Sequence, residues 1–450
     1  MNNNLKIAII GDPNKGKSSL VSTLAYDDNI KISSKSGETT ISKCFPLKID
    51  DEIIYELYDT PGFDNYEELL DFNDENKDKY TDFDSLLEAF IKKYENNEEY
   101  KKDIEIYKIL RQKPIILYLI NSSESYRSEY QSQIDIITKT NLPSFAIFNQ
   151  IGEEDNKHTW ESITKLYFID SLDYNVLNSS FKDKIRLLES MKLKIEDSKI
   201  KEQLSHSILI LNKDFQRRIK FTFEELVDSF YKIITYKKEF TYTKNSQNHK
   251  NDFFKDIKKQ EDKFYNIIAK EWGFYNLNSD IQKLKRIEID SENFTKIFGL
   301  PKSTLIAIAT SLGAVSGGSI GFGVDLFGSM GLGTLLGSGI GAISAGTASL
   351  IGTELISKKT KGFGVKEQTV YGPITNLNWR MSLFTKLYLF SELIAQRSHA
   401  NRSDFKNQDN AEEIFDDKKE ILKLAKKNSD TNKKELMLIL EKTYERRQKN

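Results

Sequence analysis

Apolar and polar positions change their rhythm three times along this chain. From residue 5 to about 180, short apolar runs alternate with amphipathic stretches. LKIAII (5–10), PIILYLIN (114–121), LPSFAIFN (142–149) and KLYFID (165–170) read as buried strands. KCFPLKI (43–49) and IIYELYD (53–59) read as two more, joined by the polar turn Asp50-Asp51-Glu52. SSLVSTLAY, after the first run, has helical spacing. Strands alternating with helices predict an α/β domain with a mostly parallel sheet. A polar segment, 64–113, interrupts it, with helical spacing in FDSLLEAFIKKY. Beyond Asp183 the pattern turns helical and charged, with IRLLESMKLKI, EELVDSFYKII and KFYNIIAKEW as candidates. After residue 356 come a strand or loop (362–375), the amphipathic NLNWRMSLFTKLYLFSELIAQRSHA, and a tail (402–450) whose mixed charges read as solvated helix surface. No repeat of 20–50 residues is visible.

The third rhythm is different in kind. Thirteen of the 23 glycines fall between Ser303 and Ile356, where the only charged residues are Asp325 and Glu354. Thr304–Val324 is 21 residues without a charge, and Leu326–Thr353 is 28. At about 1.5 Å per residue each is long enough, as a helix, for a hydrocarbon layer of about 30 Å. Gly313, Gly317 and Gly321, then Gly333, Gly337 and Gly341, recur every fourth residue and continue into Ala345 and Ser349. Such spacing lets two helix backbones approach closely. Lys283, Lys285, Arg286, Lys296 and Lys302 precede the segment and Lys358, Lys359 and Lys361 follow it, while no base lies in its central turn. By the positive-inside rule both ends lie in the cytosol. The alternative is a glycine-rich hairpin packed inside a soluble helical domain.

Composition narrows the classes. With 38% hydrophobic and 30% charged residues the chain can build a core. Its 66 Lys+Arg against 67 Asp+Glu leave no strongly basic excess, so no nucleic-acid partner is expected. One cysteine, Cys44, excludes an intramolecular disulfide, and four histidines offer no zinc site. The first residues lack a signal-peptide pattern. A reducing, cytoplasmic setting is expected.

Gly11-Asp12-Pro13-Asn14-Lys15-Gly16-Lys17-Ser18 fits G-x-x-x-x-G-K-[ST] between a strand and a helix. Around Gly16, backbone N–H groups can wrap a phosphate at a helix N-terminus; Ser19 continues that turn. Lys17 reaches the β- and γ-phosphates, and the Ser18 hydroxyl ligates Mg²⁺. Asp59-Thr60-Pro61-Gly62 closes a strand: Asp59 holds Mg²⁺, and the Gly62 N–H contacts the γ-phosphate. Gly37-Glu38-Thr39-Thr40 lies between the first helix and second strand, where a threonine can sense triphosphate against diphosphate. An ordinary loop hydroxyl is the bland alternative for Thr40. Lys17, Asn14, Thr40 and Gly62 are the catalytic candidates. Those for nucleotide binding are Gly11, Asn14, Lys15, Gly16, Lys17, Ser18, Ser19, Thr40, Asp59, Gly62, Asn149 and Ser171.

GDPNKGKSSL, GETT and LYDTPGF, in that order, resemble the G domains of the Era/TrmE/Der group of bacterial GTPases, and the 19-residue step from Thr40 to Asp59 fits that layout. LYDTPGFDNYEELLDF, the polar insert, PIILYLINSSESYRSEYQSQIDII, LPSFAIFNQIG and the late glycine-rich segment resemble the bacterial GTPases classed by a C-terminal domain of unknown function 3482. The resemblance covers nearly the whole chain. It implies GTP/GDP with Mg²⁺, and K⁺ near Asn14, where the Era/TrmE group carries an asparagine that helps hold it. The bland alternative for Asn14 is a turn residue after Pro13. Two departures stand out. The guanine-reading Asn-Lys-x-Asp is here Asn149-Gln150-Ile151-Gly152: either Glu153, Glu154 or Asp155 supplies the carboxylate, or base selectivity is weakened. Asp170-Ser171-Leu172 resembles the loop that supports the base. Phe63 stands where Ras-like enzymes place a water-orienting glutamine, so catalysis needs another source of charge.

These readings predict a GTPase (G) domain at 1–180 with its insert at 64–113, a helical region at 181–302, a hydrophobic hairpin at 303–356 and a C-terminal helical region at 357–450. The fold class is an α/β P-loop domain followed by an all-α part with a glycine-zipper hairpin. The expected function is a slow GTP-hydrolysing switch attached to the inner membrane, with both termini cytosolic. Expected partners are guanine nucleotide, membrane lipid, a second copy through the G domains and an unnamed protein. A dynamin-like membrane-remodelling GTPase and a nucleotide-binding scaffold with negligible turnover are the alternatives.

Overall fold

The structure, a computed structural model, describes residues 4–32, 39–76, 78–80, 82–241, 247–276, 351–359, 365–375, 377–401, 415 and 418–449. They form two compact units: one of residues up to 217 with 273–275 and 396–402, the other of the remainder.

The first unit is built on a six-stranded sheet. β1 (Lys6–Ile10), β2 (Lys43–Ile49), β3 (Glu52–Asp59), β4 (Ile115–Asn121), β5 (Ser144–Asn149) and β6 (Asp170–Asp173) lie in the order β2-β3-β1-β4-β5-β6. Only the hairpin strand β2 is antiparallel. Both faces are covered, so alternate residues of one strand enter different cores. Ile7, Ile9, Leu117 and Leu119 face one, with Leu20, Leu24 and Leu187. Ala8, Ile10, Tyr118 and Ile120 face the other, with Leu86, Phe90, Tyr107 and Ile134. The helices are α1 (Lys17–Ala25), α2 (Glu67–Glu75), α3 (Phe83–Tyr94), α4 (Lys101–Leu110), α5 (Glu129–Lys139), α6 (His158–Tyr167) and α7 (Phe181–Lys194).

The sixth strand is displaced from its expected place. KLY of KLYFID ends α6, whose residues Trp160 and Thr164, one turn apart, are buried. Phe168 N–H donates to the Thr164 carbonyl, and its ring stacks on Tyr118 at 5.5 Å. The strand is DSLD, and Ser171 lies within it opposite Ala146 rather than in a loop beyond it. The run of apolar side chains belonged to a helix end.

α8 (Ser198–Ile234) begins in the first unit and continues in the second, which adds α9 (Gln247–Glu271), α10 (Leu377–Gln396), α11 (Lys418–Leu424) and α12 (Asp430–Lys449). The expectation of an all-helical C-terminal part is corrected by a three-stranded antiparallel sheet. It comprises β7 (Lys238–Thr241), β8 (Ile351–Lys359) and β9 (Val365–Ile374), in the order β7-β9-β8. Residues 351–356, read as the hairpin's end, are the start of β8. Thr353 pairs with Tyr371 and Glu354 with Val370, so their backbone groups are satisfied by a neighbouring strand. Residues 303–350, the rest of that hairpin, lie outside the described residues. The tail is not all solvated surface either: Ile421, Leu424, Leu436 and Leu440 are buried. Among the described residues no helix is long and apolar enough to cross a membrane.

Candidate functional site

The loop from β1 to α1 crosses the carboxyl end of the parallel sheet, the usual place for a ligand in open α/β folds. Gly16 caps α1 with φ 95°, and a β-carbon there would meet the Asn149 amide at 2.8 Å. Backbone alone fits this turn. Gly62 is close-packed in another way: a β-carbon would meet Pro13 at 2.4 Å. The β3 loop therefore lies against the β1 loop. Together they line a cleft of about 320 Å³ bordered by Pro13, Asn14, Gly16, Lys17, Ser18, Ser19, Thr39, Thr40, Asp59 and Gly62, with Ile30, Lys43 and Phe45.

Lys17 is buried, and its Nζ donates to the Gly11 and Asp12 carbonyls at 2.8 Å each. Burial, partly offset by Asp59 and Asp12, lowers its pKa to about 8. Ser18 Oγ donates to Asp59 Oδ2 at 2.7 Å, whereas the buried Asp59 Oδ1 has no partner. Burial raises the Asp59 carboxyl, although the Ser18 hydroxyl and Lys17 pull it down. A hydroxyl beside an orphaned carboxylate oxygen is a hard-oxygen donor set that suits Mg²⁺. Thr60 Oγ1 donates to the Ile9 carbonyl at 2.7 Å and fastens the Asp59 loop to β1.

Asn14 is exposed, with φ 62°, at the rim of the cleft. Such a left-handed position suits asparagine in a turn. Thr40 is also exposed on that rim; Gly37 and Glu38 lie outside the described residues. Phe63 is buried and meets Tyr66 edge-on.

The base-side residues divide. Asn149 is buried, donates to the Lys15 carbonyl at 3.1 Å and accepts from Val176 N–H at 3.2 Å. It thus ties three loops together. Val176, not Ser171, is the backbone that joins this knot. Gly152 N–H donates to Ser123 Oγ at 2.8 Å. Asp155 accepts from Lys157 N–H and Glu154 from the Asn156 amide, so two of the three candidate carboxylates are engaged in their own loop. Glu153 is exposed.

Lys15, expected at the nucleotide, has its ammonium 2.6 Å from Glu124 Oε2. Asn121 and Tyr130 donate to the same carboxylate. Burial works against ionised Glu124, but Lys15 and Asn121 outweigh it and hold the group below the ordinary range. Glu124 and Val176 escaped sequence reasoning. The available signal was position: both follow closely after parallel strands, β4 and β6, where sites gather.

Known proteins similar to this chain fall into two groups of matches. A family model described as "50S ribosome-binding GTPase" matches residues 6–150. A second, described as "Domain of unknown function (DUF3482)", matches residues 161–450. The tRNA modification GTPase MnmE of Mycoplasmoides gallisepticum is 28% identical over 167 residues, 34% of this chain and 36% of that protein. The chain therefore spans about a third of that relative. Two solved structures of Era also align. One, in complex with MgGDPNP and nucleotides 1506–1542 of 16S ribosomal RNA, has 20% identity and a TM-score of 0.28 over 43% of this chain and 57% of that one. The other, an Aquifex aeolicus Era variant bound to GDP·AlF4⁻, has 17% identity and a TM-score of 0.29 over 59% and 89%. The exclusion of nucleic acid is withdrawn, and one of these neighbours is itself an RNA complex. A near-zero total charge could not support that exclusion, since binding depends on where charges sit rather than on their sum. The second family match covers more than half of the chain, which belongs to the family carrying domain of unknown function 3482, and its N-terminal residues 6–150 match a GTPase family model.

Proposed function

We propose that the cleft takes GTP·Mg²⁺ through Gly11, Gly16, Lys17, Ser18 and Ser19 on the phosphates. In this reading Ser18, Asp59 and, with triphosphate, Thr40 hold the metal. The observation that carries it is the buried Lys17 ammonium beside the Ser18–Asp59 pair, at the floor of a cleft also bordered by Thr40 and Gly62. Mg²⁺ would neutralise phosphate charge there. Lys17 orients the phosphate tail, and the Gly62 N–H is the γ-phosphate donor. Asn149 positions the phosphate loop instead of touching the base, with Val176 in the role first given to Ser171.

Hydrolysis is slow alone and stimulated by K⁺ at Asn14, because Phe63 offers no hydrogen bond to water. The division into a G domain (1–180), a helical region (181–302), a glycine-rich hairpin and a C-terminal region (357–450) belongs to the same proposal. So does attachment of the hairpin to a membrane, which the charge-free runs before Ile351 and their lysine flanks support. The deciding experiment for the nucleotide site is titration calorimetry on Lys17→Ala. Triphosphate binding is expected to disappear while the far-ultraviolet spectrum stays unchanged; wild-type affinity in the variant would refute the assignment.

A further inference from the structure

The polar insert between β3 and β4 ends in α4, and this helix touches the two loops that border the cleft. Asp103, in its first turn, is fully buried. One of its carboxylate oxygens accepts from Asp64 N–H at 3.0 Å and the other from Asn65 N–H at 2.9 Å. Lys102, beside it, pairs with the Asp64 side chain at 2.7 Å. The Asn65 amide donates to the Glu99 carbonyl just before the helix, at 2.8 Å. Two residues after Asp103, Glu105 Oε2 accepts from Ser42 N–H, and its carbonyl accepts from Ser42 Oγ, both at 3.2 Å. Asp64 is two residues beyond Gly62, and Ser42 is two beyond Thr40.

A buried carboxylate is costly unless its oxygens are hydrogen-bonded. Here the bonds come from consecutive backbone donors of another segment, an arrangement that fixes a loop rather than a helix. Both anchored segments carry residues that border the cleft, Thr40 and Gly62. Loops already held in place pay less ordering entropy when a ligand engages them.

We infer that α4 is a clamp on both loops, with Asp103 and Glu105 as positioning residues that pre-organise Gly62 and Thr40 for the γ-phosphate. The inference rests on the triphosphate-switch reading and names the element that regulates it. A diphosphate lacks the group these loops would touch, so the clamp acts on triphosphate alone. Movement of the insert is thereby coupled to nucleotide state.

The test is calorimetric affinity of the full chain for GDP and for a non-hydrolysable GTP analogue, each with Mg²⁺. Asp103→Asn keeps the shape but leaves one backbone N–H facing an amide. It should weaken the analogue about tenfold and GDP less than about twofold. Glu105→Ala, at a partly exposed position, removes the acceptor of Ser42 N–H and should weaken only the analogue, about threefold. Equal losses for both nucleotides would reduce α4 to a structural support and overturn the inference. So would an unchanged ratio, or tighter analogue binding. If Asp103→Asn fails to fold, Glu105→Ala decides alone by the same ratio. A wild-type chain that binds neither nucleotide would instead sink the switch reading beneath it.

Discussion

At the scale of residues, Lys17 is the group whose chemistry changes most when a ligand arrives. Its pKa of about 8 in the free site follows from burial. Phosphate oxygens beside it would favour the ammonium and raise that value. The sign follows by linkage: below about pH 8 the free lysine is already protonated and binding takes up no proton there. Above it, each binding event must supply one. Triphosphate affinity should therefore fall with rising pH beyond about 8, by at most tenfold per unit. Calorimetry at pH 7 and 9, in two buffers of different ionisation enthalpy, should show about one proton taken up only at the higher pH; pH-independent uptake would contradict this. Thr40→Ala should weaken Mg²⁺-triphosphate binding several-fold more than diphosphate binding, since only the triphosphate would engage that rim. Asn14→Ala should abolish K⁺ stimulation of turnover and leave binding nearly unchanged; equal turnover in Na⁺ and K⁺ for the wild type would end that idea. Lys17, Ser18 and Asp59 could be named from the sequence because the motifs fix their spacing along the chain. The partner of Lys15 could not, because Glu124 is distant in sequence and only the fold brings the two together.

At the scale of elements, legibility followed the length and burial of apolar runs. β1, β4 and β5 are buried on both faces and read as unbroken hydrophobic strings. β6 is the polar DSLD and β7 the four-residue KEFT, neither with a periodicity to detect. β7 exists because β9, far along the chain, offers it a backbone edge, Lys238 opposite Tyr371. The helices of the second unit were visible as amphipathic stretches, but the pairing between them was not. α9 and α10 are joined by a partly buried ion pair, Lys386 Nζ to Glu261 Oε2 at 2.7 Å, with Tyr265 alongside. Burial opposes the charge on Lys386, but Glu261 and Tyr265 outweigh it and hold the ammonium above its ordinary range. Glu261→Gln should weaken that pairing and cost about 1–3 kcal/mol in urea unfolding. Lys386→Met with Glu261→Leu should recover most of the loss, because a packed apolar pair replaces both desolvated charges. A single variant as stable as the double would show that the pair contributes little.

At the scale of the whole molecule, the question is what the glycine-rich segment does for a nucleotide switch. β8 claims Ile351 onward, which shortens the second uncharged run to residues 326–350. At about 1.5 Å per residue that still amounts to about 37 Å of helix, and the 21 residues of the first run to about 31 Å. Both match a hydrocarbon layer of about 30 Å. In water, each glycine inside a helix costs up to about 1 kcal/mol against alanine, whereas lipid forces the backbone to stay hydrogen-bonded. A segment of this composition is therefore better suited to a bilayer than to a solvated helical hairpin. Among the described residues no helix is long and apolar enough to cross a membrane. The full chain should float with liposomes in a density gradient. A variant lacking residues 303–350 keeps β8, so the pairing of Ile351–Lys359 with β9 survives the deletion. That variant should stay at the bottom of the gradient and bind GTP as the full chain does. Gly317→Leu with Gly337→Leu should still float, since hydropathy is kept, but should lose protease protection between the two runs because the close face is filled. If the full chain instead purifies as a detergent-free monomer that ignores liposomes, with residues 313–341 resistant to protease, the segment is a soluble core. Attachment to a membrane would then have to be abandoned, while the nucleotide site would stand on Lys17, Ser18 and Asp59 alone.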